Sequence, residues 1–223
     1  LRLELLDEAA VRPFFGKRKK DTHKGSYGHL LIVAGSLGKT GAAALAGKAA
    51  LRLGAGLVTV ATPLAALPAV ARTMAELMTE PLEGTPEGTV AREALPRALH
   101  LVKGKTAVLV GPGLSTHPST SAFVLGLLPK IKSPVVVDAD GLNIVASRLE
   151  VLDRLKGRAV LTPHPGEFAR LVGRTNEEVV RHRLELAPEF STRHGITLVL
   201  KGHRTLIAAP DGRVFVNPTG NPG

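Results

Sequence analysis

Two carboxylates and one amide follow a run of valines in the segment VVVDADGLN. Asp138 and Asp140 are two positions apart, so both face the same side of the strand as it ends. Together with Asn143 they could position a hydroxyl group, a water molecule or Mg²⁺. The structural alternative is that Asp140, which precedes Gly-Leu-Asn-Ile, caps a helix. We expect one of the two aspartates, and not both, to serve as a cap.

His164 lies between two prolines in the segment LTPHPGEF. Prolines restrict φ and donate no backbone hydrogen bond, so we expect the histidine in a stiff loop between a strand and a helix. A histidine held there can hydrogen-bond a ligand, although a lone histidine is more often a surface or capping residue. Glu167 falls in the first turn of the predicted helix, where a negative charge is favourable in any case.

A glycine-rich turn, AGSLGKTG, joins a predicted strand to a predicted helix. Only two residues separate Gly35 from Gly38, whereas the P-loop has four before its Gly-Lys-Thr. The free amides and the positive end of the helix still suit an anion or a carbonyl oxygen, and Gly41 and Ala42 leave room for a bulky ligand. A tight connection that merely needs positive φ explains the glycines equally well.

Two further strand ends carry glycine or positive charge. The turn GPGLS combines a proline with two glycines, so Gly113 could bring bare backbone against a ring or a phosphate, although on its own it is more simply a turn. The segment LVLKGHRT delivers Lys201 from a strand end, where an ammonium group can bind a nucleotide phosphate. A solvated loop lysine is the alternative.

These segments follow continuous aliphatic runs that are typical of strands buried between two helical layers. The runs are HLLIVAG (29–35), LVTVAT (57–62), TAVLVG (106–111), PVVVDAD (134–140), RAVLTP (158–163) and TLVLKG (197–202). Helical patterns separate them at 41–53, 65–78, 89–103, 119–131, 141–155, 165–172 and 176–194, the last interrupted by Pro188. TLIAAP (205–210) and RVFVNP (213–218) predict an antiparallel edge, so we expect an α/β domain of three layers with a mostly parallel central sheet. Ligands of such sheets bind beyond the carboxyl ends of the strands, where the segments above should line one crevice.

The composition limits the partners and the compartment. The chain has 223 residues, no cysteine and a formal net charge of +10. Without cysteine there are no disulfides and no thiolate metal ligands, and no run of about 20 apolar residues occurs, so we expect a cytoplasmic protein without a membrane partner. Only Lys17–Lys20 is densely basic and Tyr27 is the sole tyrosine, which favours anionic nucleotides over nucleic acid as partners.

Taken in this order, the motifs closely resemble those of the ADP- or ATP-dependent NAD(P)H-hydrate dehydratases, whose fold is ribokinase-like. The matching segments are HKGSYG (23–28), AGSLGKTGAAALAGKAALRLGAGLVTVATP (34–63), GPGLS, VVDADGLN, LTPHPGEF and LVLKGHRT. TPHPGE, the GSLGKTGAA turn and KGHRT are specific to that family. The resemblance covers residues 23–223, and residues 1–22 precede it as a charged lead-in helix and linker.

The resemblance implies a lyase that repairs hydrated NADH or NADPH. ADP or ATP would phosphorylate the added hydroxyl group of the nicotinamide ring, and loss of phosphate would regenerate the reduced cofactor. Phosphate leaves far more readily than hydroxide, so phosphoryl transfer makes the elimination easy. Mg²⁺ is expected to bridge phosphate oxygens, and a homo-oligomer, as a tetramer, is expected from relatives.

The resemblance also assigns residues to the two ligands. On the substrate side it places the hydrated dinucleotide against Gly41, Ala42, Gly113 and His164, and the polar groups of the DADGLN segment add Asp138 and Asn143 to this side. The adenine nucleotide would be held by Lys201, Gly202, His203, Arg204 and Thr205. Lys39 and Thr40 would then match the P-loop letters by chance, and we assign no protein metal ligand.

One departure from the family concerns catalysis. After a segment like that at residues 220–223, the family continues into Gly-Thr-Gly-Asp, whose amides form an anion hole and whose aspartate is the catalytic base. We therefore expect the catalytic aspartate beyond Gly223, in a C-terminal part that also covers the sheet. Many relatives carry an epimerase domain ahead of this one, and we expect the same ahead of Leu1.

Two other functions stay open at this point. A ribokinase-like kinase of a small molecule, such as a vitamin precursor, would release a stable phosphorylated product and no free phosphate. A non-catalytic nucleotide-binding module is the alternative for a chain that lacks the catalytic segment. Neither the preference between ADP and ATP nor that between the NADH and NADPH hydrates follows from the residues.

Overall fold

A computed structural model describes residues 2–220 of the chain, and the last three residues of the predicted GNPG segment lie outside that range. Ten strands of the described part form one sheet. Their bounds are β1 (Arg2–Leu5), β2 (His29–Val33), β3 (Leu57–Pro63), β4 (Met78–Leu82), β5 (Ala107–Val110), β6 (Val135–Val137), β7 (Ala159–Leu161), β8 (Thr197–Leu200), β9 (Thr205–Ala208) and β10 (Arg213–Asn217). Their order across the sheet is β1-β10-β9-β8-β7-β6-β5-β2-β3-β4.

The predicted mostly parallel sheet with an antiparallel edge is confirmed. Only β9 runs against its neighbours, being antiparallel to both β8 and β10. Two strands were not predicted. One is β1, which pairs with β10 in parallel, and the other is β4, whose sequence MTEPL contains Pro81. Both lie at the edges of the sheet, where an unpaired side of the strand tolerates proline and polar residues and where the hydrophobic pattern is therefore weak.

Helices connect the strands on both faces of the sheet. Their bounds are α1 (Glu8–Val11), α2 (Thr40–Leu53), α3 (Leu67–Ala71), α4 (Leu95–Val102), α5 (Pro118–Leu127), α6 (Asp140–Ala146), α7 (Pro165–Val172), α8 (Asn176–Arg181) and α9 (Arg183–His194), with 3₁₀ turns at Arg12–Phe14, Lys24–Tyr27, Arg92–Ala94, Leu128–Lys130 and Leu149–Arg154. Among residues 2–220, no helix has the length and apolar character needed to cross a membrane.

The predicted helix at 176–194 is divided, but not at its proline. The division falls at His182, whose backbone at φ −111° and ψ 25° ends α8 and precedes α9. Pro188 stays inside α9. The expectation that Pro188 splits or kinks this segment was therefore wrong about the position of the break, because the loss of one amide donor did not end the helix.

The two faces of the sheet are covered to different extents. The larger core lies between the sheet and helices α4 to α7 and α9, whereas α2 and α3 cover only the end of the opposite face formed by β2, β3 and β4. Along the central strands, buried residues that face the larger core alternate with half-buried residues on the opposite face. The half-buried ones are Val136, Val160, Val199 and Ile207. A row of aliphatic side chains is thus accessible across β6 to β9.

The N-terminal segment contains the short helix α1 and is held by contacts made near its end. Asp7 caps α1 by accepting a hydrogen bond from the amide of Ala10 at 2.9 Å. Further along, the Arg18 guanidinium lies 3.9 Å from the centre of the Tyr27 ring and donates to the carbonyl oxygen of Gly54 at 2.6 Å. The linker is therefore attached to the end of α2.

Candidate functional site

The strand-end segments come together because their strands are neighbours. Strands β8, β7, β6, β5 and β2 are adjacent and parallel in the sheet. Their carboxyl ends therefore meet at one edge, as the parallel sheet required. The loops after them contain the residues that the motifs singled out.

The two glycine turns are joined by hydrogen bonds. The amide of Gly35 donates to the carbonyl oxygen of Pro112 at 2.8 Å, and the hydroxyl group of Ser36 donates to the carbonyl oxygen of Gly113 at 2.8 Å. Gly35 and Gly38 have φ of 83° and 81°, as a tight turn requires. These turns are thus structural connections, and they also bring two stretches of bare backbone side by side.

Gly113 has no space for a side chain. Its φ is 67°, and a Cβ atom there would lie 2.9 Å from the carbonyl oxygen of Lys39 and 3.1 Å from Cβ of Ala42. Lys39 precedes α2 at the N-cap position without a side-chain cap. The first amides of α2, including those of Gly41 and Ala42, are therefore available to an acceptor from outside the helix.

The turn after β6 has a strained backbone. Ala139 has φ 52° and ψ −121°, a conformation that residues with a Cβ rarely adopt. The carbonyl oxygen of Asp138 packs against Gly111, where a Cβ atom would lie only 1.9 Å from it. Such strain costs about 1–3 kcal/mol and persists where the surroundings hold it in place. Here the strained residue separates the two aspartates.

Asp138 joins the ends of three strands. Its Oδ1 atom accepts a hydrogen bond from the ammonium group of Lys201 at 2.9 Å and from the hydroxyl group of Thr162 at 2.8 Å. The three residues follow β6, β8 and β7, respectively. Asp138 therefore binds, through Oδ1, the lysine that the sequence predicts for the nucleotide.

Asp140 faces the glycine turns. Its Oδ2 atom accepts from the amide of Ser115 at 2.8 Å and lies 3.4 Å from the ammonium group of Lys39. Neither aspartate caps α6, because the N-cap residue is Ala139 and no side chain caps this helix. The expectation that one aspartate is a cap was wrong, because both carboxylates have partners in the loops that follow other strands.

His164 both caps a helix and presents a donor. Its Nδ1 atom accepts from the amides of Gly166 and Glu167 at 3.0 and 3.3 Å, which places the ring hydrogen on Nε2. The side chain is 53% exposed, and Nε2 lies 3.5 Å from Oε1 of the buried Glu167. Glu167 also accepts from the amide of His164 at 2.8 Å. The histidine is thereby held with its Nε2–H group at the surface.

The loop that follows β8 is fixed by an arginine from α9. Arg183 donates to the carbonyl oxygens of His203 and Arg204, both at 3.0 Å. Burial lowers the pKa of the Arg183 guanidinium, which nevertheless stays charged at neutral pH. Thr205 donates to the carbonyl oxygen of Gly202 at 3.1 Å. Residues 201–205 thus form a braced turn.

This braced turn lies beside the histidine loop. The amide of Lys201 donates to the carbonyl oxygen of Pro163 at 2.8 Å. Pro163 immediately precedes His164. The residues predicted for the nucleotide and one of those predicted for the dinucleotide are therefore on neighbouring strand ends.

Asn143 is placed apart from this group. Its Oδ1 atom accepts from the guanidinium of Arg170 at 3.0 Å, which braces α6 against α7. Arg170 also lines a cavity of about 770 Å³ between α6, α7 and α9. That cavity lies on the helical layer and contains none of the strand-end residues, so we base the candidate site on the hydrogen-bonded strand ends.

Three residues of the candidate site were not assigned a role from the sequence. Thr162 belongs to the TPHPGE motif but carried no assignment, and Lys39 was set aside as a chance match. Arg183 lies in a helical pattern with no local sign of a role. The described residues contain no group of three or more histidine, aspartate or glutamate side chains that could hold a metal ion.

The sequence of the chain is similar to those of known proteins. The sequence profile of a family described as NAD(P)H-hydrate dehydratase matches residues 30–223. A bifunctional NAD(P)H-hydrate repair enzyme Nnr of Moorella thermoacetica is 47% identical over 98% of this chain, which spans 41% of that relative's length. An ADP-dependent (S)-NAD(P)H-hydrate dehydratase of Neisseria meningitidis is 37% identical over the whole chain and 72% of its own length.

A solved structure has the same fold. The ADP/ATP-dependent NAD(P)H-hydrate dehydratase of Bacillus subtilis, co-crystallized with ATP and Mg²⁺, superposes with a TM-score of 0.78 at 32% identity. The match covers 98% of this chain and 73% of the other. The predicted ribokinase-like architecture is thereby confirmed.

Proposed function

Because the chain belongs to the NAD(P)H-hydrate dehydratase family, we propose that it serves the nucleotide-dependent dehydration of hydrated NADH or NADPH. The hydroxyl oxygen of the hydrate attacks the terminal phosphorus atom of ADP or ATP, and the bond between that phosphorus and the nucleotide breaks. The proton of the hydroxyl group passes to a base. The C–O bond then breaks and inorganic phosphate leaves while the neighbouring ring carbon loses a proton, so that the ring double bond forms and the reduced nicotinamide is restored.

One observation carries the proposal. The Asp138–Lys201 ion pair, at 2.9 Å, lies on strand ends adjacent to the loop of His164. A phosphate donor at Lys201 and a nicotinamide ring at His164 would then lie on neighbouring strand ends, as transfer between them demands.

On the nucleotide side, Lys201 supplies the charge. An ammonium group has three donors, and Asp138 occupies one of them at 2.9 Å. The other two would hydrogen-bond phosphate oxygens. Arg183 keeps the turn at His203 and Arg204 in place through their carbonyl oxygens, so that this turn can support the adenine nucleotide without rearranging.

On the dinucleotide side, backbone and histidine act together. Gly113 packs closely against Ala42 and Lys39, and we propose that the backbone of this turn and the small side chain of Ala42 let a flat ring approach. The Nε2–H group of His164 would donate to the dinucleotide while Glu167 keeps the ring oriented.

Mg²⁺ belongs to the nucleotide in this scheme. The described residues form no metal cage, and Asp138, Asp140 and Glu167 each accept hydrogen bonds from the protein. We therefore treat the ion as part of the Mg²⁺–nucleotide substrate, where it neutralises phosphate charge.

The test uses the full-length protein with hydrated NADH or NADPH, Mg²⁺, and ADP or ATP. We expect recovery of the absorbance of reduced nicotinamide, with one inorganic phosphate released for each ring restored. A stable phosphorylated dinucleotide without released phosphate would instead favour a kinase. Nucleotide binding without any turnover would favour a non-catalytic binding module.

The setting of the reaction is also part of the proposal. We place it in the cytoplasm, since a chain without cysteine is compatible with a reducing compartment. We further propose a homo-oligomer, with a tetramer as the expected state. Light scattering of the full-length protein tests this, and a monomer at micromolar concentration would contradict it.

A further inference from the structure

Lys39 has a defined position between the two glycine turns. It occupies the N-cap position of α2, and its side chain is 54% exposed. Its ammonium group lies 3.4 Å from Oδ2 of Asp140. This oxygen already accepts a shorter hydrogen bond, 2.8 Å, from the amide of Ser115. Asp140 therefore keeps its main partner whether or not Lys39 is present.

Lys39 also belongs to the dinucleotide side of the cleft. Its carbonyl oxygen and Cβ would lie 2.9 and 3.2 Å from a Cβ atom at Gly113, and Ala42 lies at 3.1 Å from the same point. Lys39 thus touches the backbone that the dinucleotide is proposed to contact. Lys201, by contrast, is held by the other aspartate of the pair, Asp138.

The two aspartates consequently hold two lysines on opposite sides of the strained Ala139. Asp138 pairs with Lys201 from β8, and Asp140 pairs with Lys39 from the turn after β2. The strands β7, β6 and β5 lie between these two sources. A cleft that receives two anionic ligands can pair each of them with a cation, and this arrangement offers one lysine on each side.

The Lys39–Asp140 contact is suited to exchange. The pair is long, at 3.4 Å, and its lysine side chain is 54% exposed, so water screens the ammonium group and weakens the attraction. A phosphate group offers several oxygens and stronger, charge-assisted hydrogen bonds to an ammonium group. The flexible lysine side chain can therefore leave Asp140 for a phosphate that enters beside Gly113.

We propose that Lys39 is a specificity-determining residue that binds a phosphate group of the dinucleotide, and that Asp140 holds its ammonium group in the empty cleft. The inference rests on the proposed function, since it assigns the ligand of the same cleft. The phosphate belongs either to the pyrophosphate bridge of the dinucleotide or to the 2′-phosphate that only NADPH carries.

The test measures binding, so it needs no turnover. The dissociation constants of NADPH and NADH, followed by their own fluorescence, and that of ADP are compared in the full-length protein. The variants are Lys39→Met, which keeps the side-chain length but removes the charge, and Asp140→Asn, which keeps an acceptor for Ser115. The control is Lys48→Met, because Lys48 is exposed on the same helix ~13 Å further along.

Opposite effects of the two variants are expected. Lys39→Met should weaken NADPH binding about tenfold at low salt, as expected for a lost charge-assisted contact, and change ADP binding less than about twofold. Asp140→Asn should leave NADPH binding equal or tighter, since a competitor for the ammonium group is removed. Lys48→Met should change neither. If Lys39→Met weakens the binding of NADPH but not of NADH, Lys39 binds the 2′-phosphate. If it weakens the binding of both equally, Lys39 binds the pyrophosphate.

Three results would overturn the inference. They are unchanged dinucleotide binding in Lys39→Met, an equal loss of ADP binding, and a loss in Asp140→Asn that matches Lys39→Met, which would make the ion pair structural. Recovery of reduced nicotinamide by the unmodified protein is measured in parallel. If the unmodified protein does not restore reduced nicotinamide but NADPH binding depends on Lys39, the proposed function is wrong and this inference stands. If the unmodified protein restores reduced nicotinamide but Lys39→Met binds NADPH as before, the proposed function stands and this inference is wrong.

Discussion

The ammonium group of Lys201 and Oδ1 of Asp138 are 2.9 Å apart, although the two residues are separated by 63 positions in the chain. The pair connects the ends of β6 and β8 over Thr162 at the end of β7, which donates to the same oxygen. One carboxylate therefore fixes the direction of the lysine and leaves its remaining hydrogens for a ligand.

Replacement of Lys201 by Met should weaken ADP and ATP binding about tenfold or more. The variant removes a charge-assisted hydrogen bond to phosphate, which is typically worth about 1.5–3 kcal/mol. The salt dependence of nucleotide binding should decrease as well. Titration calorimetry at two salt concentrations measures both effects. Lys156→Met, at an exposed lysine paired with Asp153, is the control, and equal losses in both variants would remove Lys201 from the nucleotide site.

Replacement of Gly113 by Ala should destabilise the protein by about 2–3 kcal/mol, because the new Cβ atom is unfavourable for two separate reasons. They are a positive φ and a backbone oxygen at 2.9 Å. Gly104 is a matched control because its φ of 72° is similar but nothing lies within 4 Å of its Cβ position. Gly104→Ala should therefore cost only about 1 kcal/mol.

Urea unfolding of these two glycine variants measures the difference directly. Dinucleotide binding should weaken in Gly113→Ala alone, because only that turn borders the proposed ligand. Equal free energies of unfolding in the two variants would show that the turn at Gly113 shifts freely, and the proposed close packing against Lys39 would then be wrong.

Two substitutions at His164 should separate its two roles. Asn is a good N-cap residue, so His164→Asn should preserve the capping of α7 and keep the free energy of unfolding within about 0.5 kcal/mol. His164→Ala loses acceptors for two amides and should cost about 1 kcal/mol. Both variants lose the Nε2–H donor and should weaken dinucleotide binding to a similar extent. If dinucleotide binding weakens only in His164→Ala, the variant with the lower stability, then the histidine acts only as a helix cap.

The sheet and the meeting of the motifs could be predicted because each depends on local pattern. Buried strands such as β2 and β5 are continuous aliphatic runs, and parallel strands must end at one edge. Strands β1 and β4 were missed because edge strands need no such run. The break at His182 has no proline or glycine to announce it, whereas Pro188 announces a break that does not occur.

The partners of the charged residues could not be predicted in the same way. Whether Asp140 caps its own helix or binds Lys39 depends on which strands are neighbours, and the order of strands is not a property of any short segment. Asn143 shares a helix with Asp140 but points to Arg170. Arg183 reaches a loop 20 residues away. Side chains that act across the sheet become visible only in three dimensions.

Replacement of Arg183 by Lys should weaken nucleotide binding about three- to tenfold and leave dinucleotide binding unchanged. A lysine cannot donate to two carbonyl oxygens in the fixed geometry of a guanidinium, so the turn at His203 and Arg204 loses one of its two supports. Binding measurements for ADP and NADPH test the separation. Parallel losses for both ligands would indicate a general disturbance of the sheet.

The free energy of unfolding should decrease as the pH falls from about 7 to 5, in part because of His29. Burial, with a smaller contribution from Lys105, lowers the pKa of His29, whose Nε2 atom lies 2.8 Å from the hydroxyl oxygen of Thr59. The native state thus binds this proton less readily than the unfolded chain, so the stabilisation is present above the ordinary histidine pKa and is lost below it. His29→Gln should give a flatter dependence of unfolding free energy on pH, measured by urea titration. An unchanged slope in His29→Gln would show that this half-buried histidine does not contribute to the pH dependence.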